Sequence, residues 1–274
     1  MTLKIDVIIP SYNRATILKR AIDSVLAQTY PHFSLYVVND GSTDETNDLI
    51  KNYQDIHYLE QENKGVSSAR NYGIKNSHSE WIAFLDSDDE WLPNKLEAQV
   101  SFLEAHPEMS FVHSNEIWIR NGVRVNPKNK FDKSNNHIFK RSLEMCLISP
   151  STTLIRRDLI VKHNLFDESL EICEDYDLWL KILATDEVGF IPENLVKKYG
   201  GHVDQLSLKY SVMDFWRIQS LINLLDLKDL GDTKRQLVRA EISKKAPVLE
   251  AGLLKHNHLD QLQKLREMLN RIKP

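Results

Sequence analysis

The sequence predicts an α/β fold, in which the strands of a parallel sheet alternate with helices along the chain. Two observations predict it. Apolar runs of strand length recur through the N-terminal third, and segments with helical spacing or helix-start signals lie between them. Polar and charged residues follow these runs directly, and open α/β sheets bind ligands beyond the carboxyl ends of their strands. We therefore expect the chemistry to converge on one edge of the sheet.

The first two strands are each followed by a helix signal. Residues 5–9 form an apolar, β-branched run, and residues 18–26 then repeat apolar side chains at helical spacing. A second strand at 35–38 precedes Ser42 and Glu45. Their spacing is that of a capping box, which predicts the start of a second helix.

The alternation continues with a third short strand at 56–59 and a fourth at 81–85. Gly65 opens the helix between these strands, and a further helix is predicted to start at Pro93. Each strand so far is followed by polar residues, so the same edge of the sheet collects them all.

The middle of the chain carries weaker signals. Residues 109–126 predict a hairpin, because Asn121-Gly122 is a strong signal for a two-residue turn. Residues 127–137 are rich in Lys, Asn and Asp and predict a mobile loop over an acceptor site. Residues 139–147 predict a short helix, and residues 152–155 predict a strand.

The most informative segment is an acidic run at the end of the fourth strand. Trp81–Leu85 leads directly into Asp86, Asp88, Asp89 and Glu90. Carboxylates this close repel one another strongly unless a cation lies among them. Hard oxygen ligands suit Mg²⁺ or Mn²⁺, which usually bind together with the phosphates of a substrate. The alternative is an acidic turn that caps the next helix.

Five motifs follow one another in a defined order. They are Pro10-Ser11-Tyr12-Asn13-Arg14, Asn39-Asp40-Gly41-Ser42-Thr43-Asp44, Asn63-Lys64-Gly65 with Ala69-Arg70-Asn71, Asp86-Ser87-Asp88-Asp89, and Glu174-Asp175-Tyr176-Asp177-Leu178-Trp179. Together they resemble the family 2 glycosyltransferases of GT-A fold, over roughly residues 3–205. The resemblance implies a Rossmann-like mixed sheet with flanking helices, as in nucleotide-diphospho-sugar transferases. It also implies inverting, metal-dependent transfer of a sugar to a hydroxyl group.

The first two motifs supply candidates for binding the donor nucleotide. Asp40 can accept a hydrogen bond from the imino N–H of uracil, thymine or guanine, and the resemblance supports this contact. The alternative is a turn carboxylate that caps its own loop. Tyr12 can stack on the base and offer its hydroxyl. Pro10, which stiffens the end of the strand, and Asn13 belong to the same donor-binding segment.

Arg14 and Arg70 are the candidates for binding the diphosphate. A planar guanidinium group matches the geometry of phosphate oxygens and can bind them through two hydrogen bonds. For each of the two residues the alternative is a solvated helix face.

By resemblance, Asp88 coordinates the divalent ion, Mn²⁺ or Mg²⁺, and Asp86 reaches the ribose. Asp89 is left between a hydrogen bond to the donor sugar and a helix cap. His202 follows two glycines, which permit close approach of the backbone. Some GT-A enzymes use a histidine at this place as a further metal or phosphate ligand. The alternative for His202 is an ordinary surface or packed histidine.

Glu174 and Asp175 are the candidates for the catalytic base. They stand at the start of a helical pattern, where the helix dipole favours an ionised carboxylate that can accept a proton. The alternative is plain acidic charging of a helix N-terminus. With the resemblance, one of the two is the general base, and Asp175 is our first choice.

Composition agrees with a soluble enzyme. A length of 274 residues accommodates one large α/β domain, expected at 1–205, and a helical extension at 206–274. The net charge of −4 gives no electrostatic case for binding nucleic acid. No apolar run approaches the ~20 residues that span a bilayer. The two cysteines favour a reducing compartment, so we expect a cytoplasmic location.

The predicted helical extension is basic. Residues 232–274 hold ten Lys and Arg against five Asp and Glu. This excess predicts either an anionic membrane surface or partner, or a solvated helix face. The apolar stripes of the same helices predict packing on the catalytic domain or on a second subunit of a homo-oligomer.

The combined expectation is a glycosyltransferase that moves one sugar from a nucleoside diphosphate sugar, UDP-linked, to a glycan, lipid-linked or other hydroxyl acceptor. The Gln-x-x-Arg-Trp motif of the family's processive polymerases is absent, which favours single transfer. A sugar-nucleotide pyrophosphorylase would carry a Gly-rich loop after the first strand, and a phosphohydrolase would carry its D-x-D there. The non-enzymatic alternative is a catalytically silent sugar-nucleotide sensor or scaffold.

Overall fold

The computed structural model describes residues 2–134, 137–201 and 212–272. Within these ranges nine strands form one sheet in the order β3-β2-β1-β4-β8-β6-β9-β5, with β7 paired to β6. The strands are β1 Ile5–Ser11, β2 Phe33–Asp40, β3 His57–Gln61, β4 Trp81–Phe84, β5 Glu90–Trp91, β6 Phe111–Arg120, β7 Val123–Val125, β8 Thr153–Arg156 and β9 Gly189–Gly200.

Ten α-helices flank this sheet in the described ranges. They are α1 Ala15–Leu26, α2 Thr46–Ile50, α3 Val66–Asn76, α4 Lys95–Ala105, α5 Ile138–Ser142, α6 Arg157–Lys162, α7 Glu174–Thr185, α8 Met213–Leu225, α9 Asp232–Lys255 and α10 Leu259–Arg271. Two short 3₁₀ turns lie at Asn129–Phe131 and Pro150–Thr152.

The N-terminal half of the sheet is parallel, as the alternation of strands and helices predicts. Strand β1 pairs in parallel with β2 and β4, and β2 pairs in parallel with β3. Every residue of β1 is buried, because helices cover both faces of the sheet. Strand β8 runs antiparallel between β4 and β6 and makes the sheet mixed. The GT-A fold that the motifs imply is confirmed.

Successive side chains of β1 enter two different apolar layers. Val7 and Ile9 pack in the cluster that contains α1 and α4. Ile8 faces the opposite layer, which contains α3, α5 and α7. Helix α3 lies so close to β1 that a Cβ atom added to Gly73 would be 2.6 Å from Cγ2 of Ile8. This close packing positions the helix that carries Arg70.

The C-terminal helices α8, α9 and α10 pack on the rest of the chain. Their buried side chains join the same apolar layer as α7. Some of the basic side chains of these helices form hydrogen bonds within the protein. Lys234 Nζ donates to the carbonyl oxygens of Leu183 at 3.1 Å and Ala184 at 2.7 Å. Arg235 Nη1 donates to Leu225 O at 2.6 Å. Both contacts place a cation at the negative end of a helix, on α7 and α8.

The predicted capping box was wrong. Helix α2 begins at Thr46, and its first turn is held by Asp44, whose Oδ1 accepts from the Thr46 amide at 3.1 Å. Oδ2 of Asp44 accepts from the Ala15 amide at 3.0 Å and so also holds the start of α1. Ser42 Oγ accepts from the Asn13 amide at 2.9 Å instead of capping its own helix. Ser42 and Asp44 accept hydrogen bonds from the loop after β1 and from the start of α1. Such contacts between segments distant in the sequence cannot be predicted from local spacing.

The predicted hairpin is confirmed as β6 and β7, with Asn121 and Gly122 at φ 49° and 76° in the turn. The following loop is anchored in its described part. Lys133 Nζ forms a buried ion pair with Glu116 Oε1 at 2.9 Å. The rings of Trp118 and Phe131 pack with centroids 4.9 Å apart. In the described ranges, no helix combines the length and the apolar character that crossing a bilayer requires.

Candidate active site

A cleft of about 290 Å³ lies at the carboxyl edge of the sheet. The ends of β1 and β4 form its floor, and the start of α7, strand β9 and the start of α8 form its walls. Pro10, Asp86, Asp88 and Asp175 all border this cleft. With Arg70, which also borders the cleft, the structure brings together side chains from four of the five sequence motifs, as expected for ligand binding at the end of parallel strands.

Within the acidic run, Asp86, Asp89 and Glu90 are each held by different hydrogen-bond partners. Asp86 Oδ1 accepts from Arg70 Nη2 at 2.7 Å. The buried carboxylate of Asp89 accepts from the Ser151 hydroxyl at 2.7 Å and the Tyr199 amide at 3.0 Å. Burial, reinforced by the charge of Asp88, raises the pKa of Asp89 well above its usual value. Asp89 therefore joins β9 to the end of β4, and its contact with the donor sugar stays a prediction for a residue that is 1 % exposed.

Glu90, the last acid of the run, faces away from this group. Its two carboxylate oxygens accept from Lys197 Nζ and from the Tyr199 hydroxyl, each at 2.7 Å. Burial opposes ionisation, but these hydrogen bonds outweigh it and lower the pKa of Glu90. Donors of the protein itself thus hold Asp86, Asp89 and Glu90, while the charges of Asp88 and Asp86 still raise the pKa of Asp89.

Arg70 is almost fully buried, at 3 % exposure. Its guanidinium lies between Asp86 Oδ1 and Glu174 Oε1, at 2.7 and 2.5 Å. Burial lowers the pKa of Arg70, but these two carboxylates together have the larger effect and raise it above its usual value. Contact between Arg70 and the diphosphate stays a prediction, because Arg70 borders the cleft while its Nη1 and Nη2 atoms each donate to a carboxylate. Arg70 holds the acidic turn and the start of α7 together.

The same ion pair separates the roles of the two candidate bases. Glu174 is buried, and burial raises its pKa although Arg70 opposes the shift. Asp175 is only partly buried and borders the cleft. Its Oδ1 accepts from the Tyr176 amide at 2.7 Å, and its Oδ2 accepts from the Cys146 thiol at 3.4 Å. Both residues border the cleft, and Asp175 is the more exposed of the two.

Cys173, the residue before α7, has φ 65°. This left-handed conformation is uncommon for a residue with a side chain, and such backbone strain concentrates at functional sites. Burial and the charge of Asp175 raise the pKa of the Cys173 thiol to about 12. Neither Cys173 nor Cys146 forms a disulfide, in agreement with the expectation from sequence.

Asp40 is buried and ties the loop between β3 and α3. Its carboxylate accepts from Gln61 Nε2 at 2.7 Å and from the amides of Lys64 and Gly65 at 2.9 and 2.8 Å. These partners differ from the alternative left by the sequence, a carboxylate that caps its own loop, because they lie at the end of β3 and in the loop that follows it. Contact between Asp40 and a nucleotide base stays a prediction, and any such contact would have to be made by a carboxylate that is 4 % exposed.

The first motif contributes in three ways. Tyr12 is 45 % exposed, so its ring is open to a ligand. Asn13 Oδ1 accepts from the Thr43 amide at 2.8 Å and joins the loops after β1 and β2. Arg14 borders the main cleft and also a second cleft of about 390 Å³. Asp88 borders both clefts as well, and Arg20 donates to its carbonyl oxygen.

Two cationic side chains that border the cleft belong to none of the predicted motifs. Lys198 lies on β9, and its Nζ donates to Ser149 Oγ at 3.0 Å. Burial opposes its charge, but Glu116, Asp89 and other carboxylates outweigh burial and raise the pKa of Lys198. Strand alternation would have found Lys198 if β9 had been predicted. The second cation is Arg217 of α8.

His202 lies outside the described residues, so its predicted metal or phosphate contact stays a prediction. Among the described residues, no group of three or more His, Cys, Asp or Glu side chains is arranged to hold a metal ion alone. Asp86 and Asp88 nevertheless offer hard oxygen ligands at the cleft. This set fits Mg²⁺ or Mn²⁺, which commonly bind one or two carboxylates and complete their shell with phosphate oxygens and water.

The fold and cleft define a nucleotide-diphospho-sugar transferase architecture, and comparisons with known proteins agree. The sequence matches the model of glycosyl transferase family 2 over residues 6–163. The chain belongs to this family. It is 39 % identical over 204 residues to a glycosyltransferase of Rickettsia typhi, covering 70 % of this chain and 63 % of that protein. The chain thus spans less than two thirds of the length of this relative.

A second relative is named for the reaction that it catalyses. The chain is 36 % identical to the UDP-Glc:α-D-GlcNAc-diphosphoundecaprenol β-1,3-glucosyltransferase WfgD of Escherichia coli, over 68 % of this chain and 72 % of that protein.

Two solved structures share the fold. S. aureus TarS 1-349 in complex with UDP-GlcNAc has a TM-score of 0.70 at 17 % identity, over 98 % of this chain and 92 % of that one. The mannosyltransferase PcManGT from Pyrobaculum calidifontis, in complex with GDP-Man and Mn²⁺, has a TM-score of 0.65 at 16 % identity, over 99 % and 75 % of the chains.

Proposed function

We propose that this protein transfers one sugar from a UDP-sugar to an acceptor hydroxyl, with inversion at the anomeric carbon. One observation carries the proposal: Asp175 borders the same cleft as Asp86 and Asp88, while its neighbour Glu174 is held in a buried ion pair with Arg70. One cleft therefore offers acids for the donor end and a reachable carboxylate for the acceptor. Membership in the family supports the reaction class.

The choice of UDP rests on the relatives. The E. coli relative is named for UDP-Glc, and TarS was solved with UDP-GlcNAc, whereas the Pyrobaculum neighbour holds GDP-Man. The first of these is the one whose sequence identity exceeds 30 %. We therefore assign UDP to this chain and treat GDP as the result that would correct the assignment.

Asp88 and Asp86 would hold Mn²⁺ or Mg²⁺ beside the diphosphate. When bound, the ion neutralises charge that develops on the leaving nucleoside diphosphate. Arg14 and Lys198 border the same cleft and add fixed positive charge from the protein. Pro10 borders the cleft at the end of β1, and the exposed ring of Tyr12 follows this strand in the loop that Asn13 joins to the loop after β2.

Asp175 acts on the acceptor. Its carboxylate takes the proton of the acceptor hydroxyl while that oxygen forms a bond to the anomeric carbon. The bond from the anomeric carbon to the diphosphate oxygen breaks at the same time, and the electron pair leaves with UDP. Attack from the face opposite the leaving group inverts the anomeric configuration. Glu174 and Arg70 hold the start of α7 in place during this step and exchange no proton with substrate.

We assign residues 1–205 to the catalytic domain and 206–274 to the helical extension. Met213 and Arg217 of α8 border the cleft, so the extension supplies part of its wall. Deleting it would therefore open the acceptor side of the site as well as expose the apolar layer that α8 shares with α7.

The test is a calorimetric titration with UDP, GDP, dTDP, CDP and ADP, each with and without Mn²⁺. We expect UDP to bind most tightly, only with metal, and Asp88→Ala to abolish the metal-dependent part of the affinity. Asp260→Ala, which removes an exposed acid of α10, is the matched control. Release of UDP from a panel of UDP-sugars then measures turnover. Binding without hydrolysis or transfer would favour the sensor or scaffold instead.

A further inference from the structure

Arg217 is a cation of the cleft wall that the proposed reaction leaves without a role. It stands on α8, one helical turn after Met213, and both residues border the cleft. Its Nη1 donates to Asp214 Oδ1 at 3.1 Å, and its Nη2 lies 3.1 Å from Met213 Sδ. Its Nε is buried and has no hydrogen-bond partner among the described residues. A ligand cannot reach a buried Nε, but each Nη atom carries a second N–H bond, so the guanidinium keeps donor capacity at the wall.

Arg217 lies on the acceptor side of the cleft. It borders the cleft together with Cys173 and Asp175. Cys173 immediately precedes Glu174 and Asp175 on the chain. By contrast, Arg14 borders the second cleft on the β1 side, which Arg217 does not.

The other buried cations of the cleft already face carboxylates. Arg70 is bound by Asp86 and Glu174. Lys198 lies in the field of Glu116 and Asp89. Asp214, the acid that contacts Arg217, is itself shared with Lys245 at 3.3 Å. Arg217 thus shares the carboxylate of Asp214 with Lys245, whereas Arg70 contacts two carboxylates, and an anion beside Asp175 would compensate Arg217 further.

Resting on the proposed function, we propose that Arg217 binds a phosphate group of the acceptor, so that the natural acceptor is a phosphate ester whose hydroxyl lies at Asp175. A phosphate offers several oxygens to the remaining donor edge of the guanidinium. Ile172 and Met213 border the same part of the cleft and give it an apolar side. That side suits the hydrocarbon chain of a lipid-linked sugar phosphate, whose sugar supplies the hydroxyl, and a free sugar phosphate would leave it uncovered.

The test uses the full chain saturated with UDP and Mn²⁺, so that the donor diphosphate position is filled. Glucose 1-phosphate, methyl α-glucoside and glucuronate are titrated by calorimetry. Of these three compounds, we expect only glucose 1-phosphate to bind. The Arg217→Gln substitution should weaken its affinity about tenfold or more, which is the size expected for loss of a charge-assisted hydrogen bond. Octyl phosphate in place of glucose 1-phosphate distinguishes the source. Tighter binding of octyl phosphate than of glucose 1-phosphate indicates that the natural acceptor is a lipid-linked sugar phosphate. Weaker binding indicates a free sugar phosphate.

Arg266→Gln is the matched control, because it removes the same charge from the exposed face of α10, where Arg266 pairs with Glu250 at 2.6 Å. It should leave every affinity unchanged. Equal binding of glucuronate, or unchanged affinity in Arg217→Gln, overturns the phosphate assignment. A loss of UDP affinity in Arg217→Gln overturns it too, because the residue would then serve the donor. If UDP itself does not bind the wild type, the proposed function fails first and separately.

Discussion

Arg70 Nη1 and Glu174 Oε1 lie 2.5 Å apart, although 104 residues separate them in the sequence. The pair joins α3 to the first residue of α7. Because Arg70 also holds Asp86 at 2.7 Å, one guanidinium connects the acidic turn after β4 to the helix that carries Asp175. The relative placement of the donor end and the acceptor end of the cleft therefore depends on this buried cation.

We expect Glu174→Ala to lower the free energy of unfolding by about 3–5 kcal/mol, the usual effect of removing one partner from a buried ion pair. The cause is that Arg70 would keep only Asp86 as a counter-charge. Urea denaturation followed by tryptophan fluorescence measures the change. Glu171→Ala, at an exposed position of the same loop, is the control and should shift the stability by less than about 0.5 kcal/mol. Equal effects of the two variants would contradict a stabilising role for the pair.

Asp40→Ala should also destabilise the fold. The substitution leaves the amides of Lys64 and Gly65 without their acceptor, which costs about 1–3 kcal/mol. UDP affinity, measured by calorimetry at a temperature where the variant is fully folded, then tests the base contact separately. A loss of stability with unchanged affinity assigns Asp40 to the loop alone. Asp48→Ala, which removes an exposed acid on α2, should change neither quantity.

Stability should also depend on the protonation of His163, which is buried beside Asp186 with 3.3 Å between Nε2 and Oδ2. Burial disfavours the imidazolium and outweighs the attraction of Asp186, so the pKa of His163 is lowered. The unfolded chain takes up this proton near pH 6.5, whereas the folded chain does not until lower pH. The stability present above pH 6.5 is therefore lost as the pH falls through the lowered pKa.

Denaturation of the wild type and of His163→Gln at pH 7.5, 6.0 and 5.0 measures this contribution. The wild type should lose up to about 1.4 kcal/mol per pH unit more than the variant below pH 6.5. Other titrating groups are common to both proteins, so the difference isolates His163. A wild type that loses less stability than the variant on acidification would mean that His163 is charged in the folded state.

The parallel half of the sheet could be predicted because its signals are local. The apolar run of β1 and the helical spacing of α1 are each contained in a dozen residues or fewer. Strand β9 could not be predicted in the same way. It carries Pro192 and exposed polar residues where its register with β6 shifts, and such a bulge interrupts the apolar alternation.

The candidate site shows the same division. The acidic run marked the correct edge of the sheet, since Asp86 and Asp88 border the cleft. It did not reveal that the carboxylate of Asp89 accepts hydrogen bonds from Ser151 and Tyr199, because both partners lie far from Asp89 in the sequence. Arg217 carries no local signal at all. It becomes a cleft residue only because α8 packs on α7.

Asp175→Asn is the decisive substitution for the proposed mechanism. Asparagine keeps the size and much of the hydrogen bonding of the side chain but cannot take a proton from the acceptor. We expect the turnover number to fall by about 10²–10⁴, the usual contribution of a positioned acid or base. UDP affinity in the presence of Mn²⁺ should barely change, because Asp175 acts on the acceptor. Transfer rate and nucleotide affinity are measured side by side.

Glu174→Gln and Glu171→Gln complete the comparison. Glu174→Gln removes the charge that faces Arg70 but leaves Asp175 in the cleft, so its turnover should fall less than that of Asp175→Asn. Glu171→Gln neutralises an exposed acid of the same loop and should behave as wild type. An inactive Glu174→Gln beside an active Asp175→Asn would reverse the two roles. Near-normal transfer by both variants would place the base elsewhere, because a carboxamide at either position has no basic oxygen with which to accept the proton.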